Sequence, residues 1–315
     1  MEASLKSCLI YGGGGFIGSH LAEELLSHGY KVTVFDKLNF SQRNLLNVVD
    51  KIRIIEGDFN NIVDIRKSLD DIDYVFHLVS STLPAGSNEN PVYDAESNLI
   101  SSLRLFRECT DRKIKKIIFL SSGGTVYGIP DSIPITEDHP TKPICSYGII
   151  KKTIEDYLYL FHQLHNLDYN VFRLSNPYGE RQNPYAAQGA IAVFLNKILK
   201  DEEIVIWGDG EVVRDYIYIK DAANALVTSI TTDSPHKLFN LSAGIGYSLN
   251  QIIDVIKNVT GKTDVKIRYQ EKRSFDVPVS VLDNSLIARE LGWKPETSLN
   301  AGIEATYKYF VNADE

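Results

Sequence analysis

Gly12-Gly13-Gly14-Gly15-Phe16-Ile17-Gly18 is the stretch whose reading decides the fold. The residues before it, Lys6-Ser7-Cys8-Leu9-Ile10-Tyr11, read as a short buried strand. Residues 19–28 after it carry Leu21, Leu25 and Leu26 at helical spacing, and residues 31–36 read as a second strand. Strand, glycine turn, helix and strand make a βαβ unit, the context that gives the glycines meaning. Gly12 allows the tight turn, Gly15 lets the backbone approach a pyrophosphate, and Gly18 lets the helix pack closely on the strand. Asp36 closes the second strand. A carboxylate there accepts hydrogen bonds from ribose hydroxyls and repels a 2′-phosphate, so the expected cofactor is NAD rather than NADP. Lys37 and Arg43 nearby soften that preference.

Working outward, the alternation continues. Residues 52–58 read as a third strand ending in Asp58, suited to an adenine edge; residues 74–78, 116–121 and 169–174 read as the fourth to sixth. Helical stretches fall between, notably 92–110 and 147–164. The expected fold class is α/β: a doubly wound, parallel, Rossmann-type sheet whose ligands bind beyond the carboxyl ends of its strands. Ser121, Ser122 and Thr125 fall at such an end. After Asn176 the texture changes to loops rich in Pro, Gly, Asn and Gln, with a turn at Trp207-Gly208-Asp209-Gly210 and an alternating strand over 213–219. The expected division is a Rossmann domain over 1–175, to which the chain returns around 212–240, and a smaller α/β lobe over 176–315.

Bulk properties exclude several classes. A chain of 315 residues, 43% hydrophobic, can bury a large core. It has no apolar run long enough to span a bilayer and no leader-like start, which points to a cytoplasmic protein. Cys8, Cys109 and Cys145 are widely spaced and suggest neither a disulfide framework nor a zinc site. A net charge of −8 argues against a nucleic-acid surface; an anionic ligand would need a few placed arginines.

The chemistry centres on Ser146-Tyr147-Gly148-Ile149-Ile150-Lys151. Positions i and i+4 share one helix face, so phenol and ammonium point into one space. A nearby cation favours the phenolate, by an upper bound of about three pK units before desolvation opposes it. The expectation is that Tyr147 becomes a proton acceptor near pH 7. His77 is expected at a strand end, bonded to backbone and not catalytic.

Together these stretches, with Ser121-Ser122-Gly123-Gly124-Thr125-Val126-Tyr127-Gly128, Arg173-Leu174-Ser175-Asn176-Pro177-Tyr178-Gly179, 208–216 and Arg273-Ser274-Phe275-Asp276-Val277-Pro278, resemble the extended short-chain dehydrogenase/reductase superfamily, most closely its UDP-hexose 4-epimerase branch. The resemblance implies NAD held by Gly12, Gly15, Phe16, Ile17, Gly18, Asp36, Asp58, Phe59, Leu78, Asn98 and Ser121 together with Tyr147 and Lys151. It implies a nucleotide sugar, UDP-linked, held by Asn176, Arg214, Arg273 and Asp276, the arginines gripping the diphosphate. Ser280 matches a position whose bulk excludes a 2-acetamido group, and its small side chain implies that N-acetylated sugars fit. A homodimer through a four-helix bundle of helices 92–110 and 147–164 is implied by the same resemblance.

One departure stands out. Gly123 occupies the position where many epimerases have a hydroxyl, so Ser122, Thr125 or a water must share the proton between the sugar O4 and Tyr147; Thr125 is slightly preferred. The same loop separates reactions. Sugar dehydratases carry Asp-Glu where this chain has Gly124 and Thr125, and decarboxylases carry a glutamate in place of Thr125. The expected activity is therefore C4 oxidation, rotation of the keto-sugar and hydride return. A nucleotide-sugar dehydrogenase/reductase, a glucuronate-type epimerase and a non-catalytic NAD-binding protein are the rival readings.

Overall fold

The computed structural model describes residues 5–186, 188–271 and 277–313. Along the chain run β1 (Ser7–Tyr11), α1 (Phe16–Ser27), β2 (Lys31–Asp36), β3 (Arg53–Glu56), α2 (Ile62–Ser68), β4 (Tyr74–His77), α3 (Pro84–Ser87), α4 (Pro91–Asp94), α5 (Ser101–Asp111), β5 (Lys116–Ser122), α6 (Ser146–His165) and β6 (Tyr169–Leu174). Then follow β7 (Asn176–Tyr178), α7 (Ala190–Leu199), β8 (Ile204–Trp207), β9 (Val213–Tyr218), α8 (Ile219–Thr231), β10 (Leu238–Leu241), β11 (Gly246–Ser248), α9 (Leu249–Thr260), β12 (Ile267–Gln270), β13 (Val279–Ser280), α10 (Ser285–Leu291) and α11 (Leu299–Ala313). Two compact units result: Met1–Gly128, Pro140–Arg173 and Ala223–Phe239 form the first, and Ile129–His139, Leu174–Ala222 and Asn240–Glu315 the second.

Unit 1 is built on a seven-stranded sheet of order β3-β2-β1-β4-β5-β6-β10. β1 pairs in parallel with β2 and β4, β2 with β3, and β4 with β5. Six strands were expected; β10 is the seventh. Its four residues are too few to show a period, and pairing beside β6 makes them a strand. Cys8 to Tyr11 are fully buried, so β1 reads as a continuous apolar run, as a strand covered on both faces does. Leu9, Tyr11, Phe35, Val75, Ile117 and Phe119 of the sheet form one core cluster with Leu105 and Phe106 of α5 and Ile150, Ile154 and Leu158 of α6.

The strand order reverses between β1 and β4. Neighbouring connections leave there in opposite directions, opening a crevice at the carboxyl ends where such sheets take their ligands. The glycine loop follows β1, and residues 78–82 follow β4. The helix expected over 92–110 is interrupted: α4 passes into a π-helical turn, Ala95–Ile100, before α5. A π-turn inserts a residue into the helix and re-aims its side chains, a feature common at functional sites.

Unit 2 is organised around β9, paired in parallel with β7 and β13 and antiparallel with β11. β12 and β8 make a separate parallel pair. α9 begins with a capping box of Ser248 and Gln251 and ends on Gly261.

Candidate active site

The glycine loop takes the form its sequence demands. Gly12 has φ +82°, and its N–H donates to Phe35 O at 2.9 Å. A Cβ on Gly18 would stand 2.3 Å from Gly12 O and 2.6 Å from Gly13 Cα, so α1 lies on the loop at a distance only glycine permits. α1 starts after Gly15 with no side-chain cap and no acidic residue in its first turn, an end suited to an anion. The Asp36 carboxylate accepts the Gly14 N–H at 2.9 Å and the Lys37 N–H at 2.9 Å, which fixes it beside the loop. These features fit a dinucleotide. Phe16 and Ile17, both half-buried, open α1, and Asp58 is exposed. Leu78 donates its N–H to Tyr11 O at 3.1 Å. Phe59 is a core residue, its ring 5.3 Å from Tyr11 and 5.2 Å from His77, so only its backbone could serve a ligand.

Tyr147 sits in the first turn of α6, whose amides are met by residues from elsewhere. Ser146 N–H donates to Asn88 Oδ1 at 2.8 Å and Tyr147 N–H to Ser87 Oγ at 3.0 Å. One turn on, the buried Lys151 Nζ donates to Leu120 O at 2.9 Å and lies 5.6 Å from the Tyr147 ring centroid. Burial pushes the Lys151 ammonium down to about 8, against the pull of Glu155 and Asp94. Burial, with Cys145 and Asp94, pushes the Tyr147 phenol up to about 12, against hydroxyl contacts from Ser80 and Ser122. In the protein alone, burial thus holds the phenol above its ordinary value, against the expectation of a phenol titrating near pH 7.

The hydroxyl candidates expected from the sequence, Ser122 and Thr125, sit differently. Ser122, at the end of β5, is one of the two hydroxyls that act to lower the Tyr147 phenol, whereas Thr125 Oγ1 is buried with no partner among the described residues. Ser80 supplies a second hydroxyl that sequence reasoning missed; the run Ser80-Ser81-Thr82 at a strand end was the available signal. His77 bonds no backbone group among the described residues. Its Nε2 is 2.8 Å from Ser102 Oγ, Nδ1 has no partner among the described residues, and burial followed by Lys151 depresses it to about 3. Ser121 turns its hydroxyl to Glu155, which pairs with Arg173 at 2.7 Å, both side chains almost wholly buried. Glu155 was missed too, although it lies four residues after Lys151 on the same helix face.

Asn98 stands in the π-turn. Its Oδ1 accepts the Ser81 N–H at 2.9 Å, and its Nδ2 donates to Ser81 Oγ and Asp94 Oδ1, each at 2.8 Å. Ser80, Asp94, Asn98, Tyr147 and Lys151 line one small cavity.

In unit 2, β9 gathers the remaining described candidates. Ser280 pairs in register with Arg214, and Asn176 with Tyr216. Asn176 Nδ2 donates to Asp215 O at 2.9 Å, and Arg214 donates to Val277 O at 2.6 Å. The buried Asp215 carboxylate accepts the N–H groups of Ala243 and Gly244, each at 3.0 Å, which ties β9 to the loop after β10. Arg273 and Asp276 lie outside the described residues.

A glycine cradle at a sheet's switch point, beside a Tyr-x-x-x-Lys helix, defines a dinucleotide-dependent enzyme of the extended short-chain type. Residues 8–242 match the model of the NAD dependent epimerase/dehydratase family, and the chain belongs to that family. It is 30% identical to the UDP-glucose 4-epimerase of Mycolicibacterium smegmatis over 98% of this chain and 99% of that protein. Among solved structures it resembles UDP-glucose 4-epimerase of Thermotoga maritima with UDP-glucose (TM-score 0.92, 36% identity, 98% of this chain and 100% of that one). It also resembles UDP-N-acetylglucosamine 4-epimerase of Methanobrevibacter ruminantium M1 in complex with UDP-N-acetylmuramic acid (TM-score 0.92, 33% identity, 99% and 100%). Among the described residues, no helix is long and apolar enough to cross a membrane.

Proposed function

We propose that the protein is an NAD-dependent UDP-hexose 4-epimerase acting on UDP-glucose and UDP-galactose and on their N-acetylated forms. The observation that carries the reading is the company of Tyr147: the hydroxyls of Ser80 and Ser122 act to lower its phenol, and Gly123-Gly124-Thr125 offers no acid or base for elimination. NAD, held by the loop from Gly12 to Gly18 and by Asp36, supplies a hydride acceptor and donor when bound. Tyr147, as the phenolate, takes the O4 proton through Ser122 and returns it with no net change in protonation over a cycle; the positive charges of Lys151 and of the oxidised cofactor, when bound, offset the burial that raises the phenol in the protein alone. Lys151 holds a positive charge near the phenol. The first unit is the cofactor lobe. Asn176, Arg214, Arg273, Asp276 and Ser280 hold the nucleotide sugar, with the small Ser280 accommodating the acetamido group. The protein is a homodimer through α5 and α6, a reading supported by the exposure of Ile149, Leu160 and Leu164 on α6.

The test is to incubate purified protein with each of the four UDP-sugars, without added NAD(H), and to follow interconversion by chromatography. Interconversion is expected, and Tyr147→Phe lowers kcat by about 10²-fold or more while leaving the thermal transition near that of the unaltered protein. No interconversion of any of the four sugars overturns the assignment. Turnover that appears only on adding NAD(H), and consumes it, favours the dehydrogenase/reductase reading.

A further inference from the structure

Asp94 has no part in the sequence reading, yet three hydrogen bonds hold its carboxylate beside Tyr147. It ends α4 and is fully buried. Oδ1 accepts Thr82 Oγ1 at 2.7 Å and Asn98 Nδ2 at 2.8 Å, and Oδ2 accepts Ser146 Oγ at 2.7 Å. Those donors come from three places: the loop after β4 that carries Ser80, the π-turn, and the residue immediately before Tyr147. A buried carboxylate with three short hydrogen bonds is costly to form and stiff once formed. None of its three donors is a cation, and the cavity it shares with Tyr147 also contains the Lys151 ammonium.

We propose that Asp94 is a positioning residue for the Tyr147/Lys151 pair: it fastens the Ser80 loop to the start of α6 and supplies the fixed negative charge of the site. The role as a latch follows from geometry, because Ser146 and Thr82 reach the same carboxylate and thereby set how Ser80 meets the Tyr147 phenol. The role as a charge rests on the same burial that isolates the site. The charged and titratable groups facing Tyr147 and Lys151 are Asp94 from α4, Glu155 from α6 itself, Cys145 just before α6, and the neutral His77 from β4. Asp94 and Glu155 both favour the protonated form of Lys151, and Glu155 is already neutralised by Arg173. Among the described residues, Asp94 is thus the carboxylate of the site whose charge has no cationic side chain paired with it. The latch rests on the reading of Tyr147 as the proton-transfer group; the charge does not.

The experiment compares the full-length protein with Asp94→Asn, which keeps shape and removes charge. Lysine labelled with carbon-13 at Cε is titrated by NMR, the Lys151 signal being assigned by its loss in Lys151→Arg. Lys151 is expected to titrate about one pK unit lower in Asp94→Asn, a tenfold change in its acid constant. The alkaline limb of the kcat profile moves down with it while KM changes little. An unchanged Lys151 titration overturns the charge role. Ser146→Ala and Thr82→Ala each remove one hydrogen bond and keep the charge, and they also serve if Asp94→Asn does not fold. Each is expected to lower kcat about tenfold with an unshifted Lys151 titration; full activity in both overturns the latch. If the unaltered protein lacks epimerase activity, the functional reading fails, and the NMR comparison still decides what Asp94 does.

Discussion

Lys151 shows at the residue scale how function opposes stability. Burial pushes its ammonium down from 10.5 to about 8. Between those two values the unfolded chain holds a proton that the native one has released, so stability rises with pH across that window. Below about pH 8 the whole cost is present, about 3 kcal/mol by the size of the shift. Lys151→Met should therefore be more stable than the unaltered protein at pH 7 by up to that amount, with the gap closing toward pH 10.5. Urea unfolding at the two pH values reads this directly. A Lys151→Met protein less stable at pH 7 would mean that the bond to Leu120 O outweighs desolvation. At this scale Tyr147 and Lys151 were legible because four-residue spacing is a property of one helix. Ser80 and Asp94 were not legible, because nothing local links either to a tyrosine more than fifty residues later.

Two elements matter most for the site: the junction of β1 with α1, and the start of α6. At the junction, a methyl on Gly18 meets backbone atoms of Gly12 and Gly13, which cannot rotate away as a side chain would. Gly18→Ala is expected to destabilise by about 2–3 kcal/mol and to lose co-purifying dinucleotide. Gly124→Ala, with no atom within 4 Å of the added carbon, is the control and should be near neutral. Thermal melting and absorbance of the released nucleotide would check both. At α6, the boundary drawn from sequence was one residue short, since Ser146 is already helical. The helix needs no local cap there, because Ser87 and Asn88 reach its first amides. The π-turn was equally hidden: its sequence, Ala-Glu-Ser-Asn-Leu-Ile, carries no breaker, and only the bonds of Asn98 to Ser81 and Asp94 make the wider turn worthwhile.

For the whole molecule, the outer face of α6 sets the expected assembly. Ile149, Leu160 and Leu164 are 51%, 43% and 66% exposed, an apolar stripe that a second copy would cover. Leu160→Glu is expected to convert a dimer to a monomer in analytical ultracentrifugation; sedimentation of the unaltered chain as a monomer would remove the dimer reading. The parallel α/β class, the βαβ cradle and the Tyr/Lys pair were determined by the sequence alone. Their signals are short-range: strand length, glycine spacing, helical period and a carboxylate at a strand end, each enforced by backbone sterics within some thirty residues. Which hydroxyl meets Tyr147, which way its pKa moves, and the presence of Asp94 at its side were decided by the tertiary structure. Hydrogen bonds and desolvation depend on what the fold brings within a few ångströms, and the groups concerned come from strands and helices far apart in the chain.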